Sequence, residues 1–481
     1  MTLTSPPLTQ AQKLAQLKGF FEATPSLGRL LSTQRSRRIA KGYSVDSGKP
    51  ETRTSSGNTV LQAESPLQFL SEHEPVPLTD VEEALIAWAA CGPNGLVHWD
   101  IAVNGGFHEL TWIAGRTMAS PGNSSATDLV IIKDEGVFIY KPDQERENIV
   151  EIQGEGDYGK ILRWHEKYTT QVLDHRPNFD YGTRIPGCPN AVIAGPYQYN
   201  LNREGTTWFM PIVDVGYLYF SILLNFFDCW HLALVDDQTG EPAGIGPWMG
   251  EGKCEFPVTI SQYEWFLFQE EQYPTGLQAA NMRLAAEAMG LGAWVFGGYF
   301  DDVLMGAFPQ VTPGLGFRHE ELNPKAPLAT GALKTFGVEG VKESIYVPGP
   351  RYANGTEVID QMLADKYSKG MTMSTGDDNY MVTHQGPFSP EVVREIVNRP
   401  EVKVSDWARE AAIAYVDYCV EKYGQCPVYI NPLQCNLSVV AHHVDEAFYD
   451  QFYNGSTTTP EIRDHMNRWH SGASPASPEA H

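Results

Sequence analysis

Residues 281–302 read NMRLAAEAMGLGAWVFGGYFDD, and no other stretch of the chain says as much about the fold. The Ala-rich first half ends at Gly290, which predicts a buried helix with a glycine stop. A short apolar run then leads into Gly297 and Gly298. Because glycine leaves backbone amides bare, the end of this predicted strand could meet the polar edge of a planar ligand. A packing helix with a glycine cap would explain the first half, but it explains the paired glycines less well.

A second segment, Arg35 to Arg38 (RSRR), is a basic cluster near the start of the chain. Guanidinium groups with a hydroxyl between them can hold a phosphate through charge-assisted hydrogen bonds. The alternative is a solvated basic face, which is the more common role of such a run. The chain has only 35 basic residues against 59 acidic ones. In so acidic a chain, a local arginine cluster is stronger evidence for a phosphate site.

A third segment, Arg116 to Asn123 (RTMASPGN), precedes a hairpin predicted over residues 128–150. Ser120 and Asn123 can bond the polar edge of a flat ligand, and Gly122 lets the backbone approach it. An ordinary Ser/Asn/Gly turn is the alternative.

In order and spacing, the three segments resemble the nitroreductase superfamily of FMN-binding oxidoreductases. Residues 115–144 are similar to SagB-type dehydrogenases in particular. The match spans residues 30–308. It implies an α+β, nitroreductase-like fold with a central antiparallel or mixed sheet flanked by helices. It also implies FMN as the cofactor and an intertwined homodimer with each flavin at the subunit interface.

The resemblance assigns eight residues to the cofactor, and it names no catalytic side chain. The FMN phosphate and ribityl end would be held by Arg35, Ser36 and Arg38. The flavin would be lined by Ser120, Gly122 and Asn123. Its N5 position would face the backbone of Gly297 and Gly298, where an amide donor stabilises charge on the ring.

The length of 481 residues predicts more than one folding unit. We expect an N-terminal arm and linker over 1–65, which includes the arginines at 35–38, and an FMN domain over 66–308. A mainly helical C-terminal extension would follow over 309–466, and a disordered tail over 467–481.

Capping residues predict a helix after Thr79, with Glu82 as its partner, and another after Thr275. Further helices are expected over 405–423 and 439–453. The apolar run 215–227 is about thirteen residues long, short of the ~20 that cross a bilayer, so we interpret it as a buried core segment.

The predicted helix over 439–453 would carry His442, Glu446 and Asp450 on one face. Such a stripe could bind a metal and support hydrolysis. No second set of ligands at metal spacing accompanies it, so a polar helix face is favoured and no metal site is expected.

The formal net charge of −24 argues against nucleic acid as a partner. The N-terminus has no basic region followed by an apolar one, and we therefore expect a cytoplasmic protein that does not bind membranes. The seven cysteines contain no CxxC pair, which favours reduced thiols.

Two functions follow from these patterns. The first is an FMN-dependent oxidoreductase that moves hydride or electrons between a reduced donor and an organic acceptor, with a small molecule or a peptide as substrate. The alternative is the same fold acting as a non-redox scaffold or peptide-binding partner. It is motivated by Gln34, where the family commonly has a basic residue, and by the absence of an obvious basic phosphate contact after Asp302.

Overall fold

The computed structural model describes most of the chain. The described residues are 8–48, 50–52, 59–61, 64–96, 114–121, 126–142, 151–177, 202–307, 314–321, 333–349, 351–368, 374, 377–383, 389–400, 403–454 and 457–470.

Helices and strands are interspersed along the chain. The helices are α1 (Gln10–Glu22), α2 (Leu27–Thr33), α3 (Asp80–Cys91), α4 (Glu155–Tyr168), α5 (Val215–Asp228), α6 (Ile260–Met289), α7 (Asp301–Met305), α8 (Gly355–Lys366), α9 (Tyr380–Thr383), α10 (Pro390–Val397), α11 (Asp406–Tyr423), α12 (Glu446–Phe452), α13 (Pro460–Arg463) and α14 (His465–His470). The strands are β1 (Ser44–Ser47), β2 (Pro50–Thr52), β3 (Thr59–Leu61), β4 (Glu64–Leu70), β5 (Pro93–Leu96), β6 (Ala114–Arg116), β7 (Thr127–Lys133), β8 (Gly136–Tyr140), β9 (Thr169–Leu173), β10 (Thr207–Asp214), β11 (Leu232–Val235), β12 (Phe256–Thr259), β13 (Gly292–Phe296), β14 (Arg318–Glu321), β15 (Leu333–Val338), β16 (Lys342–Glu343), β17 (Leu433–Gln434) and β18 (Ser438–His442).

The largest sheet has the strand order β13-β18-β10-β7-β8-β9, with β17 also pairing with β10. Its pairings are antiparallel. The prediction of a mixed α/β fold with a central antiparallel sheet and flanking helices is therefore confirmed. β13 stands at one edge, and β18 is its neighbour among the described strands.

Side chains alternate between the two faces of this sheet, as the period of two in a β-strand requires. On one face, Leu129 and Ile131 pack with apolar residues of α3, α4 and α6. On the other face, Val130 and Ile132 pack with Trp294 and with residues of α7. Both faces are thus covered, which explains why β7 and β10 are buried along nearly their whole length.

A further hydrophobic core lies between α5, α8, α11 and the first half of α6. Residues 215–227 of α5 are buried, as predicted for this apolar run. Among the described residues, α5 and the other helices are too short or too polar to span a bilayer.

Local signals predicted several elements well. Thr79 and Glu82 form the expected capping box of α3. The hairpin forms as β7 and β8. α11 begins after Ser405 and ends at Gly424 in the left-handed region.

Three expectations need correction. The helix predicted to begin after Thr275 begins after Thr259, because Thr259 and Gln262 form the capping box and α6 continues through Pro274. The stretch 439–453 is not one helix, since residues 438–442 form β18 between two strands of the sheet. Part of the expected linker forms β1, which pairs with β4.

Residues beyond 308 form helices α8 to α14, but they also supply β17 and β18 to the central sheet. The proposed boundary at 308 and the C-terminal extension stay predictions. The disordered tail expected over 467–481 begins too early, because residues 467–470 belong to α14 and Trp469 is buried; the rest, from 471 onward, lies outside the described residues.

Candidate functional site

The arginine cluster lies beside the helix and strand quoted first from the sequence. Arg37 donates to the Glu287 carboxylate of α6 at 2.7 Å, and the two side chains are 3% and 4% exposed. Arg37 also donates to the carbonyl oxygens of Thr457 and Thr33. This guanidinium therefore fixes the N-terminal arm against α6.

The remaining residues of the cluster are more accessible. The guanidinium of Arg38 lies 4.6 Å from the centre of the Trp294 ring on β13, a cation–π arrangement. Arg35 and Ser36 are exposed, and Arg35 donates only to nearby backbone carbonyls among the contacts described for it. Arg35, Ser36 and Arg38 thus lie on a surface that a phosphate could reach.

The paired glycines follow β13 directly. Gly297 and Gly298 are both exposed. A Cβ atom on Gly298 would lie 2.9 Å from the Phe296 ring, and one on Gly297 would lie 3.3 Å from the Asn436 carbonyl oxygen. With a rise of about 3.3 Å per residue, Gly297 is about 10 Å along the chain from Trp294.

The third predicted segment packs on the other side of the sheet. Thr117 donates to the Trp88 carbonyl at the end of α3 and accepts from Asn281 of α6. Met118 belongs to the core on the α3 and α6 face, whereas Trp294 belongs to the opposite core. Ser120, within the same segment, is half-buried. Gly122 and Asn123, also predicted to line the flavin, lie outside the described residues.

The structure thus brings two of the three segments together within one chain. The Arg38 guanidinium contacts Trp294 of β13, and Gly297 and Gly298 follow this strand, so an extended ligand with an anionic end could lie along it. The Ser120 segment approaches the sheet from the other face. A site that uses all three segments would need a second copy of the chain or residues outside the described ranges.

A different group of polar side chains was missed at the sequence level. Glu82, His443, His465 and His470 each direct one ligand atom to a common point, and these four atoms lie within 4.8 Å of one another. Glu82 is separated from the histidines by more than 360 residues, so no local spacing could reveal the group.

The electrostatics of this group follow from burial and mutual contacts. Burial pushes the pKa of Glu82 upward, but the charge interaction with His443 and hydrogen bonds with the three histidines hold it well below its usual value. Burial lowers the pKa of His443, against the opposing effect of Glu82.

The neighbouring His442 has a different role from the one its predicted helix suggested. It is a fully buried residue of β18, and burial lowers its pKa to about 3. Glu446 and Asp450 lie on α12, separate from this strand. The prediction that these three residues share one face of a single helix is therefore wrong.

No family model matches this chain, and no curated protein matches it. Among solved structures, one match is the crystal structure of a candidate nitroreductase from Ralstonia eutropha, at 15% sequence identity. It covers 58% of this chain and 73% of the other, with a TM-score of 0.25. At that TM-score the match does not establish a shared fold.

Proposed function

We propose that this chain is an FMN-dependent oxidoreductase of nitroreductase-like fold, close to the SagB-type dehydrogenases. The observation that carries the proposal is the position of Arg38 over Trp294, on the strand that runs into Gly297 and Gly298. A cationic group and the exposed backbone of two glycines are then associated with the same strand. A flat ligand with a phosphate tail would use both features.

The residues present fit such a cofactor in part. Arg35, Ser36 and Arg38 would hold the phosphate, and the backbone at Gly297 and Gly298 would lie against the ring. Arg37 contributes indirectly, since its ion pair with Glu287 positions the arm. When bound, FMN supplies hydride or electron transfer to an organic acceptor, and the chain binds and orients it.

The proposal includes a homodimer. Among the described strands β13 is at the edge of the sheet, and Val295 on it is 41% exposed. Exposed edge strands present unpaired backbone groups that another chain can cover. A partner subunit at this edge could also bring its own Ser120 segment to the flavin. Size-exclusion chromatography with light scattering would give the mass of two chains, and a monomer at micromolar concentration would contradict this part.

The main test measures FMN directly. The purified protein should show the visible flavin absorption, release FMN on denaturation, and rebind it with quenched fluorescence. Arg38→Gln should weaken FMN binding by at least ~10-fold, since one charge-assisted phosphate contact contributes roughly 1.5–3 kcal/mol. Arg399→Gln is the control, because Arg399 forms an exposed surface pair with Glu395 on the C-terminal side of the chain.

A colourless protein that does not bind added FMN would contradict the proposal. In that case the non-redox alternative gains support if a stable protein or peptide partner co-purifies. Equal FMN affinity in wild type and Arg38→Gln would refute the role of Arg38 in binding the phosphate. The position of Arg38 over Trp294 would then no longer support the proposal.

A further inference from the structure

The group formed by Glu82, His443, His465 and His470, here called the His3Glu cluster, joins three distant parts of the fold. Glu82 lies in the first turn of α3, His443 follows β18 directly, and the other two histidines begin and end α14. The Glu82 Oε1 atom lies 2.8 Å from His465 Nε2 and 3.4 Å from the Nε2 atoms of His443 and His470. The Nε2 atoms of His443 and His470 are 2.9 Å apart.

The opposite ring nitrogens of two histidines are held by the backbone. His443 Nδ1 lies 2.8 Å from the Val76 carbonyl oxygen. His465 Nδ1 lies 2.8 Å from the Met289 carbonyl oxygen at the end of α6. A carbonyl oxygen only accepts, so each Nδ1 carries the proton, and the Nε2 of each neutral ring is left with a lone pair. Metal-binding histidines characteristically have this outer contact.

Without a bound ion, bringing these four ligand atoms together costs the protein free energy. Lone pairs on Nε2 atoms then face one another and a carboxylate oxygen, in a region that solvent barely reaches. Glu82 is fully buried, His443 is 1% exposed and His465 is 3% exposed. His465 Nε2 faces the Glu82 Oε1 atom at 2.8 Å. A cation at the common point would satisfy all four atoms at once.

The Glu82 carboxylate is already oriented for this role. Its Oε2 accepts from the backbone N–H of Thr79 at 2.6 Å as part of the capping box. Its Oε1 is the atom that faces the histidines. The helix cap therefore uses one oxygen and leaves the other free to bind an ion.

We propose that the His3Glu cluster is a binding site for a divalent transition-metal ion, with Zn²⁺ as the best fit. Three imidazoles and one carboxylate are typical zinc ligands, at bonds of about 2.0–2.2 Å. A tetrahedron with such bonds has ligand atoms separated by about 3.3 Å. The closest separations in the cluster, 2.8 to 3.4 Å, are near this value.

This zinc site would have a structural role and not a catalytic one. Four protein ligands complete a tetrahedral shell, whereas catalytic zinc sites keep a position for water or substrate. The ion would tie α14 to the first turn of α3 and to the end of β18, and through the His465 contact to the end of α6. It is independent of the proposed flavin site.

The test uses full-length protein, first stripped with a chelator and dialysed. Titration of Zn²⁺ against a chromophoric competitor should give one tight site per chain, and elemental analysis after dialysis should retain one zinc. Co²⁺ in its place should give the intense visible bands of tetrahedral coordination. His465→Gln and Glu82→Gln should each weaken zinc binding by at least ~10-fold.

Two further variants keep the result interpretable. His470→Gln removes the most accessible ligand, whose side chain is 11% exposed, and is the one expected to disturb folding least. His175→Gln removes a histidine whose side chain is 63% exposed and should bind zinc as the wild type does. Circular dichroism would establish that each variant folds. The proposal is overturned if the stripped wild type binds no Zn²⁺ tightly, or if folded His470→Gln and His465→Gln bind it as well as His175→Gln.

Discussion

Arg37 and Glu287 form a buried ion pair at 2.7 Å, although 250 residues separate them in the chain. The arm that carries the arginine cluster is thereby fixed to the end of α6. The arm also passes so close to β13 that a Cβ atom on Gly292 would lie 3.1 Å from the Arg37 carbonyl oxygen. The position of Arg38 over Trp294 depends on this attachment.

Breaking the pair should be costly. Arg37→Ala leaves Glu287 buried without its cation, and we expect a loss of about 3–5 kcal/mol in the free energy of unfolding. Urea denaturation followed by circular dichroism measures this loss. Arg37→Met combined with Glu287→Met should recover part of it, since no buried charge remains. Arg399→Ala, which removes an exposed i,i+4 pair, should change stability by under ~0.5 kcal/mol. A loss that is equally small for Arg37→Ala would show that the pair is not buried as described.

Two glycines associated with α6 should respond oppositely to alanine. Gly290 has φ of +89°, and a Cβ atom there would lie 2.2 Å from the Glu461 carbonyl oxygen. Gly290→Ala should therefore destabilise by more than ~1 kcal/mol. Gly276 is exposed within the helix, and a Cβ atom added there would point into open space. Gly276→Ala should stabilise by roughly 0.5–1 kcal/mol. Thermal and urea unfolding of both variants would measure the difference, and a neutral Gly290→Ala would contradict it.

Glu271 should make stability depend on pH. It is fully buried, and burial together with Asp214 and Glu270 raises its pKa to about 8. Because the folded state binds the proton more tightly than the unfolded state, its contribution is full below pH ~4.5 and is lost as the pH rises towards 8. By pH 8 the loss amounts to up to ~4 kcal/mol.

Glu271→Gln removes this titration. The variant should be more stable than the wild type at pH 8, and its stability should fall less between pH 5 and pH 8. Urea denaturation at several pH values measures both quantities. Identical pH profiles for the two proteins would exclude a buried, titrating Glu271.

Local chemistry in the sequence was enough for several elements. Thr79 and Glu82 predicted the start of α3 because a capping box acts within one helical turn. The Asp-Glu-Gly turn predicted the β7–β8 hairpin, since hairpin partners are adjacent in the chain. The arginine cluster and the paired glycines were singled out by composition, and the structure places the Arg38 guanidinium over Trp294 of the strand that leads to Gly297.

Other features depended on contacts that no local pattern carries. The stretch 439–453 was predicted to be one helix, but strand pairing with β10 and β13 requires an extended backbone over 438–442. The true start of α6 was hidden by Pro274, which a helix tolerates when packing on both sides of it supplies the stability.

The sequence alone thus determined the capping box of α3 and the β7–β8 hairpin, since each depends on residues a few positions apart. Only the tertiary structure decided that Arg37 pairs with Glu287, that β18 enters the sheet, and that Glu82 meets three histidines. The reason is physical: an ion pair, a strand register and a ligand shell are set by distances in space, and the packed core brings together residues that the chain holds hundreds of positions apart.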